Sequence, residues 1–148
     1  MDRIVSQTEA NTDRDGERTT AAGDGFIQLR NLSKSFNSSA VPIEILKEID
    51  FDIFQGETLA VVGASGIGKS TLLHILGTLD RPDNGKVLYK GKDVFRFSSA
   101  DLARFRNQSI GFMFQFHHLL PEFSALENVM MPALINGFNK KNAGAAAE

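Results

Sequence analysis

The sequence predicts an α/β fold: a parallel sheet flanked by helices, with an antiparallel β subdomain N-terminal to it. Three stretches carry that expectation. Leu59-Ala60-Val61-Val62 is short, apolar on both faces and bounded by Gly56-Glu57 and Gly63, as suits a strand buried inside a parallel sheet. From Lys69 to about Leu79, Leu72, Leu73, Ile75 and Leu76 line the inner side of a helix, so a strand and a helix flank a glycine loop. Between Ile43 and Ile53, apolar and charged residues alternate from Ile45 onwards, apart from the Leu46-Lys47 step, and this suits a half-exposed antiparallel sheet.

The elements follow in chain order. Residues 1–24 are polar, rich in Asp, Glu, Arg, Thr and Ala, and without an apolar period that could offset the entropy of ordering, so they read as a disordered tail. At Gly25 the composition changes, and Phe26, Ile27 and Leu29 begin a strand. After the first helix, Asp80, Pro82, Asp83, Asn84 and Gly85 form a turn, and Lys86 to Lys90 is a strand. Ala100 to Asn107 reads as a helix capped by Ser98 or Ser99, and Ile110-Gly111-Phe112-Met113-Phe114 as a second strand of the buried type. Ser124 with Glu127 three residues on makes a capping box for a last helix, which Pro132 should end or kink. The polar, Ala-rich stretch from Asn139 to Glu148 closes nothing, so the chain is expected to stop within a fold rather than at a domain edge.

Composition narrows the function classes. At 148 residues, 42% apolar and 23% charged, the chain is expected to be one folded unit with a core, plus the tail. A net charge of -2 supplies no large positive field, which argues against nucleic acid as a partner. With no cysteine there is no disulfide, thiolate zinc site or cysteine nucleophile, which fits a reducing compartment. No run approaches the length of a membrane span and the N-terminus carries no apolar signal segment, so any link to a membrane is expected through a partner.

Gly63-Ala64-Ser65-Gly66-Ile67-Gly68-Lys69-Ser70 matches G-x-x-x-x-G-K-[ST], with a strand before it and a helix after it. Glycines let the backbone curl so that successive N–H groups face phosphate oxygens, and the helix start adds its positive dipole end. Lys69 is placed to reach the β- and γ-phosphates, the Ser70 hydroxyl to hold Mg²⁺, and Thr71 to bond the α-phosphate region. The expected ligands are therefore ATP and Mg²⁺. That these glycines make only a tight strand-to-helix turn is the poorer reading, because the whole motif is rarely met by chance.

With its flanks, Gly56-Glu57 before, Thr71-Leu72-Leu73 directly after and Asp80, Pro82 and Gly85 further on, the loop resembles the Walker A region of ABC transporter ATP-binding subunits, a P-loop NTPase family. Phe36, after Leu32-Ser33-Lys34-Ser35, occupies the position of that family's A-loop aromatic. The family more often has Tyr there; phenylalanine keeps the π-face for adenine, and such stacking is worth about 1–3 kcal/mol per base. Gln115 matches the Q-loop glutamine, which the resemblance implies contacts Mg²⁺ and the attacking water and is therefore catalytic. A neutral amide suits that role because it accepts from water and coordinates metal without adding charge. The stretch from Phe114 to Val129, continuing to Met131-Pro132, with Phe116-His117-His118-Leu119-Leu120-Pro121 its more specific part, is similar to the lipoprotein-releasing (LolD) type within that family. Macrolide-export and cell-division types are the nearest alternatives.

The resemblance covers about Phe26 to Phe138 and implies residues 25–148 as the N-terminal part of a nucleotide-binding domain, ahead of the signature motif and Walker B. It implies a second copy of the subunit and transmembrane permease subunits of the LolC/LolE type as partners, at the cytoplasmic face of the bacterial inner membrane. The family's ATPase chemistry needs the metal held from both sides and a positioned water, and here only the cradle, Ser70 and Gln115 can be assigned. These 148 residues are thus expected to bind nucleotide without turning it over, as the N-terminal part of a transporter ATPase or as a non-catalytic nucleotide-binding fragment. A small P-loop kinase, with Arg104 and Arg106 in a lid, is the poorer alternative, because both arginines fit a solvated helix face. Adjacent His117 and His118 project differently and have no third ligand near, so a surface that packs on a membrane subunit suits them better than a metal site; His74 reads as a helix-face residue. Without further strands beside Leu59–Val62, apolar surface is expected to be exposed and thermal unfolding to be weakly cooperative.

Overall fold

The computed structural model describes residues 5–8, 25–36, 43–116 and 118–147. The chain divides into two units, residues 1–97 and 98–148.

In the first unit, β2 (Ile27–Phe36), β3 (Ile43–Ile53), β5 (Asn84–Tyr89) and β6 (Lys92–Asp93) form one antiparallel sheet in the order β3-β2-β5-β6. Leu29 and Leu32 of β2 are both fully buried although they are three residues apart, a spacing that would put them on opposite faces of a regular strand. The register shifts between them, and Asn31 takes φ 50, so a bulge returns Leu32 to the core face. Gly85 lies against this bulge with φ 88; a Cβ there would come within 2.3 Å of the Asn31 carbonyl oxygen, so only glycine fits. In β3 the break in alternation at Leu46-Lys47 has the same cause. Glu48 takes φ 44, its N–H donates to Ser33 Oγ at 3.0 Å, and Leu46 is fully buried.

The helix α1 (Lys69–Leu76) is shorter than expected, because Gly77 caps it and Thr78 turns at φ 57. Its inner residues Leu72, Ile75 and Leu76 are buried, and the Tyr89 hydroxyl of β5 donates to the Leu76 carbonyl. With Leu46, Val87 of β5 and Val94 of a short 3₁₀ turn at Val94–Arg96, these residues form the unit's core.

The strand β4 (Leu59–Val62) forms where expected but not as expected. It pairs antiparallel with β1 (Val5–Thr8), Leu59 and Val61 are half-buried, and Val62 is 48% exposed. No parallel strand lies beside it among the described residues, and Ala60 and Val62, on its second face, are exposed. Apart from β1, the expected tail of residues 1–24 lies outside the described residues.

The second unit is helical. α2 (Ser99–Ser109) is capped by Ser98, whose Oγ accepts from the Asp101 N–H at 3.1 Å. α3 (Ala125–Ile135) begins at the capping box and runs through Pro132 to Ile135 rather than stopping there. Its C-terminal half is tied to α2, as Asn107 Nδ2 donates to the Pro132 carbonyl at 3.0 Å and Gln108 Nε2 to Asn136 Oδ1 at 2.9 Å. The Ala-rich stretch, for which the sequence predicts no element, is helix α4 (Lys140–Ala147), in which Ala143 is buried and Gly144 lies by Met130 of α3. Small residues let the two helices approach. The strand expected at Ile110–Phe114 does not form; Ile110 is extended, but the segment joins no ladder and Met113 is 100% exposed. An apolar run of that type is held as a strand only by neighbours on both edges, and the described residues supply none.

Candidate phosphate-binding site

The loop from Gly63 to Gly68 joins β4 to α1, and its glycines do what the motif requires. Gly63, Gly66 and Gly68 have φ of 150, 80 and 109, backbone that other residues rarely adopt. A Cβ on Gly68 would lie 2.6 Å from Ile45 Cγ2 and 3.1 Å from Leu46 Cδ2, so the absence of a side chain lets the loop sit directly on β3. At Gly66 nothing lies within 4 Å, which leaves that side of the loop open to a ligand.

Gly68 is the N-cap of α1 and accepts only from the backbone, as the Leu72 N–H donates to its carbonyl at 2.9 Å and no side chain caps the helix. The N–H groups of Lys69, Ser70 and Thr71 precede the first intrahelical bond and belong to the positive end of the helix dipole. Lys69 Nζ folds over the loop, donating to the carbonyl oxygens of Gly63 at 2.9 Å and Ala64 at 2.7 Å. Ser70 is exposed and Thr71 half-buried. Left-handed glycines, uncapped N–H groups, an ammonium at the mouth and an exposed hydroxyl together fit a polyphosphate with its Mg²⁺.

Phe36 ends β2, pairs in register with Ile43 and is 43% exposed. Two residues back, Lys34 pairs with Leu46, the residue that packs on Gly68, so Phe36 stands about 7 Å along the strand from the part of the sheet that carries the loop. The structure therefore brings Phe36, Gly63, Ala64, Ser65, Gly66, Ile67, Gly68, Lys69, Ser70 and Thr71 into one unit. Gln115 belongs to the other unit, where it is exposed in a bend after Phe114. Around it, the Phe112 and Phe114 rings stack at 5.4 Å, and His118, at φ 48, meets Phe114 edge-on at 5.0 Å; His117 lies outside the described residues.

Two polar clusters had no signal in motif or period. Lys34, with Asp80 and Asp83, ties the turn after α1 to β2, since Nζ lies 3.0 Å from Asp80 Oδ1 and 3.7 Å from Asp83 Oδ1. Asn128 of α3 holds the loop before it, with Oδ1 accepting from the Leu120 N–H at 2.8 Å and Nδ2 facing the carbonyls of Leu120, Phe123 and Ser124 at 3.0–3.1 Å. Each joins segments distant in sequence or caps a loop by contacts that only the fold defines.

Residues 46–148 match the family model described as ABC transporter. The lipoprotein-releasing system ATP-binding protein LolD of Geobacter metallireducens is 58% identical over 122 residues, which are 82% of this chain and 54% of that protein. Its namesake in Shewanella sp. strain MR-4 is 55% identical over 125 residues, 84% of this chain and 54% of that one. The chain thus spans about half the length of the curated relatives it matches. Among solved structures, a dimeric ATP-binding cassette in a post-hydrolysis state bound to ADP and Pi superposes with TM-score 0.75 at 32% identity, covering 82% of this chain and 53% of that one. A dimeric bacterial ABC transporter cassette gives TM-score 0.74 at 33% identity, covering 80% and 53%.

Proposed function

The chain belongs to the ABC transporter family, and from that premise we propose that it is the nucleotide-binding part of an ATP-binding subunit working in lipoprotein release from the bacterial inner membrane. The loop at Gly63–Thr71 carries the reading, because its backbone is shaped as a polyphosphate cradle and Lys69 already spans its mouth. In this reading the N–H groups of the loop and of the α1 start bind the phosphates, Lys69 moves from its two carbonyl partners to the β- and γ-phosphates, and Thr71 bonds near the α-phosphate. Phe36 stacks on adenine. Mg²⁺, when bound, neutralises charge on the terminal phosphates, and Ser70 and Gln115 are the groups proposed to hold it, with Gln115 also orienting the attacking water.

Residues 25–148 then make the N-terminal part of a nucleotide-binding domain. Hydrolysis belongs to the full-length subunit, and the 148 residues bind ATP without turning it over. The names of the relatives support lipoprotein release as the process. The dimeric cassettes support a second copy as partner. Permease subunits of the LolC/LolE type, at the cytoplasmic face of the inner membrane, complete the assembly, and exposed Phe116, Leu119 and Leu120, after Gln115, supply an apolar surface for them. No helix among the described residues is long and apolar enough to cross a membrane.

The test is Mg·ATP binding and phosphate release by the chain beside Lys69→Ala. Binding weakened about tenfold to a hundredfold by the substitution is expected, the range for losing charge-assisted bonds, with no phosphate release from either protein. Binding indifferent to Lys69 would sink the cradle assignment, and Lys69-dependent turnover would sink the assignment of hydrolysis to the longer protein.

A further inference from the structure

Lys34 is held more completely than a surface lysine needs to be. Its side chain is 13% exposed, and Nζ donates to Asp80 Oδ1 at 3.0 Å and to the Arg81 carbonyl at 2.6 Å, with Asp83 Oδ1 at 3.7 Å. Two of the ammonium's three donors are thus committed to hydrogen bonds, and Asp83 adds an ion pair. Asp83 fastens the same turn to β2 on either side of Lys34, accepting from the Ser35 N–H at 2.7 Å and donating its own N–H to the Ser33 carbonyl at 2.9 Å. The ammonium also stands over the Phe36 ring, 5.5 Å from its centroid, since residues two apart share a strand face.

We propose that Lys34 is a positioning residue for the nucleotide base: anchored by Asp80 and Asp83, it holds the Phe36 ring by one face and leaves the other to stack on an aromatic base. This rests on the ATP-binding reading above. The ring needs such a support because it ends its strand and is 43% exposed. A ring free to rotate would lose part of its stacking to entropy, and the fixed cation removes that freedom.

The experiment measures binding of Mg·ATP and of Mg·tripolyphosphate, which has the phosphates and no base, to the 148-residue chain and its variants. Lys34→Met is expected to weaken ATP about fivefold, within the range of a cation–π contact, and to leave tripolyphosphate within about twofold. Lys34→Arg, which keeps the charge and the donors, is expected to restore ATP binding. In a Phe36→Ala background, Lys34→Met should cost nothing further, because Lys34 acts through the ring. Equal loss of both ligands, an unchanged ATP affinity, or full cost in the Phe36→Ala background would each overturn the proposal. Lys69→Ala separates the two readings: it should weaken both ligands, and if it weakens neither, the phosphate cradle itself is wrong and the base support falls with it.

Discussion

The two units handle the same problem, covering apolar side chains, with unequal results. In residues 1–97, Leu29, Leu32, Leu46, Ile75, Val87 and Val94 are all completely buried, and the glycine loop sits directly on that core through Gly68. In residues 98–148, Leu102, Met130 and Ala143 are buried, while Phe116, Leu119, Val129 and Ile135 are 62–69% exposed and Met113 wholly so. The difference teaches which part of the proposed nucleotide site is locally determined. A phosphate cradle needs a strand, a loop, a helix start and a sheet to lean on, all supplied within some fifty residues of chain. The glutamine segment needs strands on both sides of Ile110–Phe114, the described residues supply none, and its aromatic rings pack on one another and on His118 while Met113 is fully exposed.

The sharpest way to test that contrast is to truncate one isoleucine in each unit. Ile75→Ala in α1 removes a fully buried side chain and is expected to cost about 2–5 kcal/mol, whereas Ile135→Ala in α3 should stay within about 0.5 kcal/mol. Urea unfolding followed by circular dichroism measures both. Equal costs would mean that Ile135 is covered in solution, and the contrast between the units would collapse.

A smaller effect comes from Tyr89, which links the sheet to α1. Burial pushes its phenol up from 10.0 to about 12, and its hydroxyl donates to the Leu76 carbonyl. The folded state therefore holds the proton more tightly than the unfolded chain does. The stabilisation is whole below about pH 10 and is lost as pH rises towards 12. Midpoints measured from pH 8 to 12 should fall across that window by an amount worth at most about 2 kcal/mol, and Tyr89→Phe should abolish the fall. A wild-type midpoint that stays flat to pH 12 would show that the phenol is solvated.

How much of this was readable beforehand follows the same division. The alternation from Ile45 located β3, and even its fault at Leu46-Lys47 marked a true bulge at Glu48. The motif from Gly63 to Ser70 located a loop in which Gly63, Gly66 and Gly68 take positive φ, and at Gly68 the close approach of β3 excludes a side chain as well. The full alternation of burial in β4, the missing strand at Ile110–Phe114 and the helix α4 were not readable. An apolar run states that it can be buried but not which neighbours are present to bury it, and an Ala-rich stretch becomes a helix here because Ala143 and Gly144 fit against α3. Lys34 carries no sequence signal for a related reason: its partners Asp80 and Asp83 lie more than forty residues away in sequence and meet it only in the fold.

The smallest expected effect lies in the second unit and asks whether its helices are held by local chemistry where packing is thin. At the start of α3, Ser124 Oγ accepts from the Glu127 N–H at 3.3 Å, and Glu127 Oε2 accepts from the Ser124 N–H at 3.0 Å. That reciprocal bonding, chiefly from the Ser124 backbone N–H and then from its hydroxyl, holds the Glu127 carboxyl below its ordinary value. A depressed carboxylate stabilises above the unfolded value near 4.5 and loses that contribution as pH falls through the folded value, so the cap should weaken in acid. Ser124→Ala removes the side-chain half and is expected to cost about 1 kcal/mol, read as a loss of helical signal at pH 7. The loss should shrink as pH falls through the folded value of Glu127, where that carboxylate has also let go. If instead the substitution costs nothing at pH 7, α3 is held by packing on α4 rather than by its cap, and the second unit resembles the first more than the exposed side chains of α3 suggest.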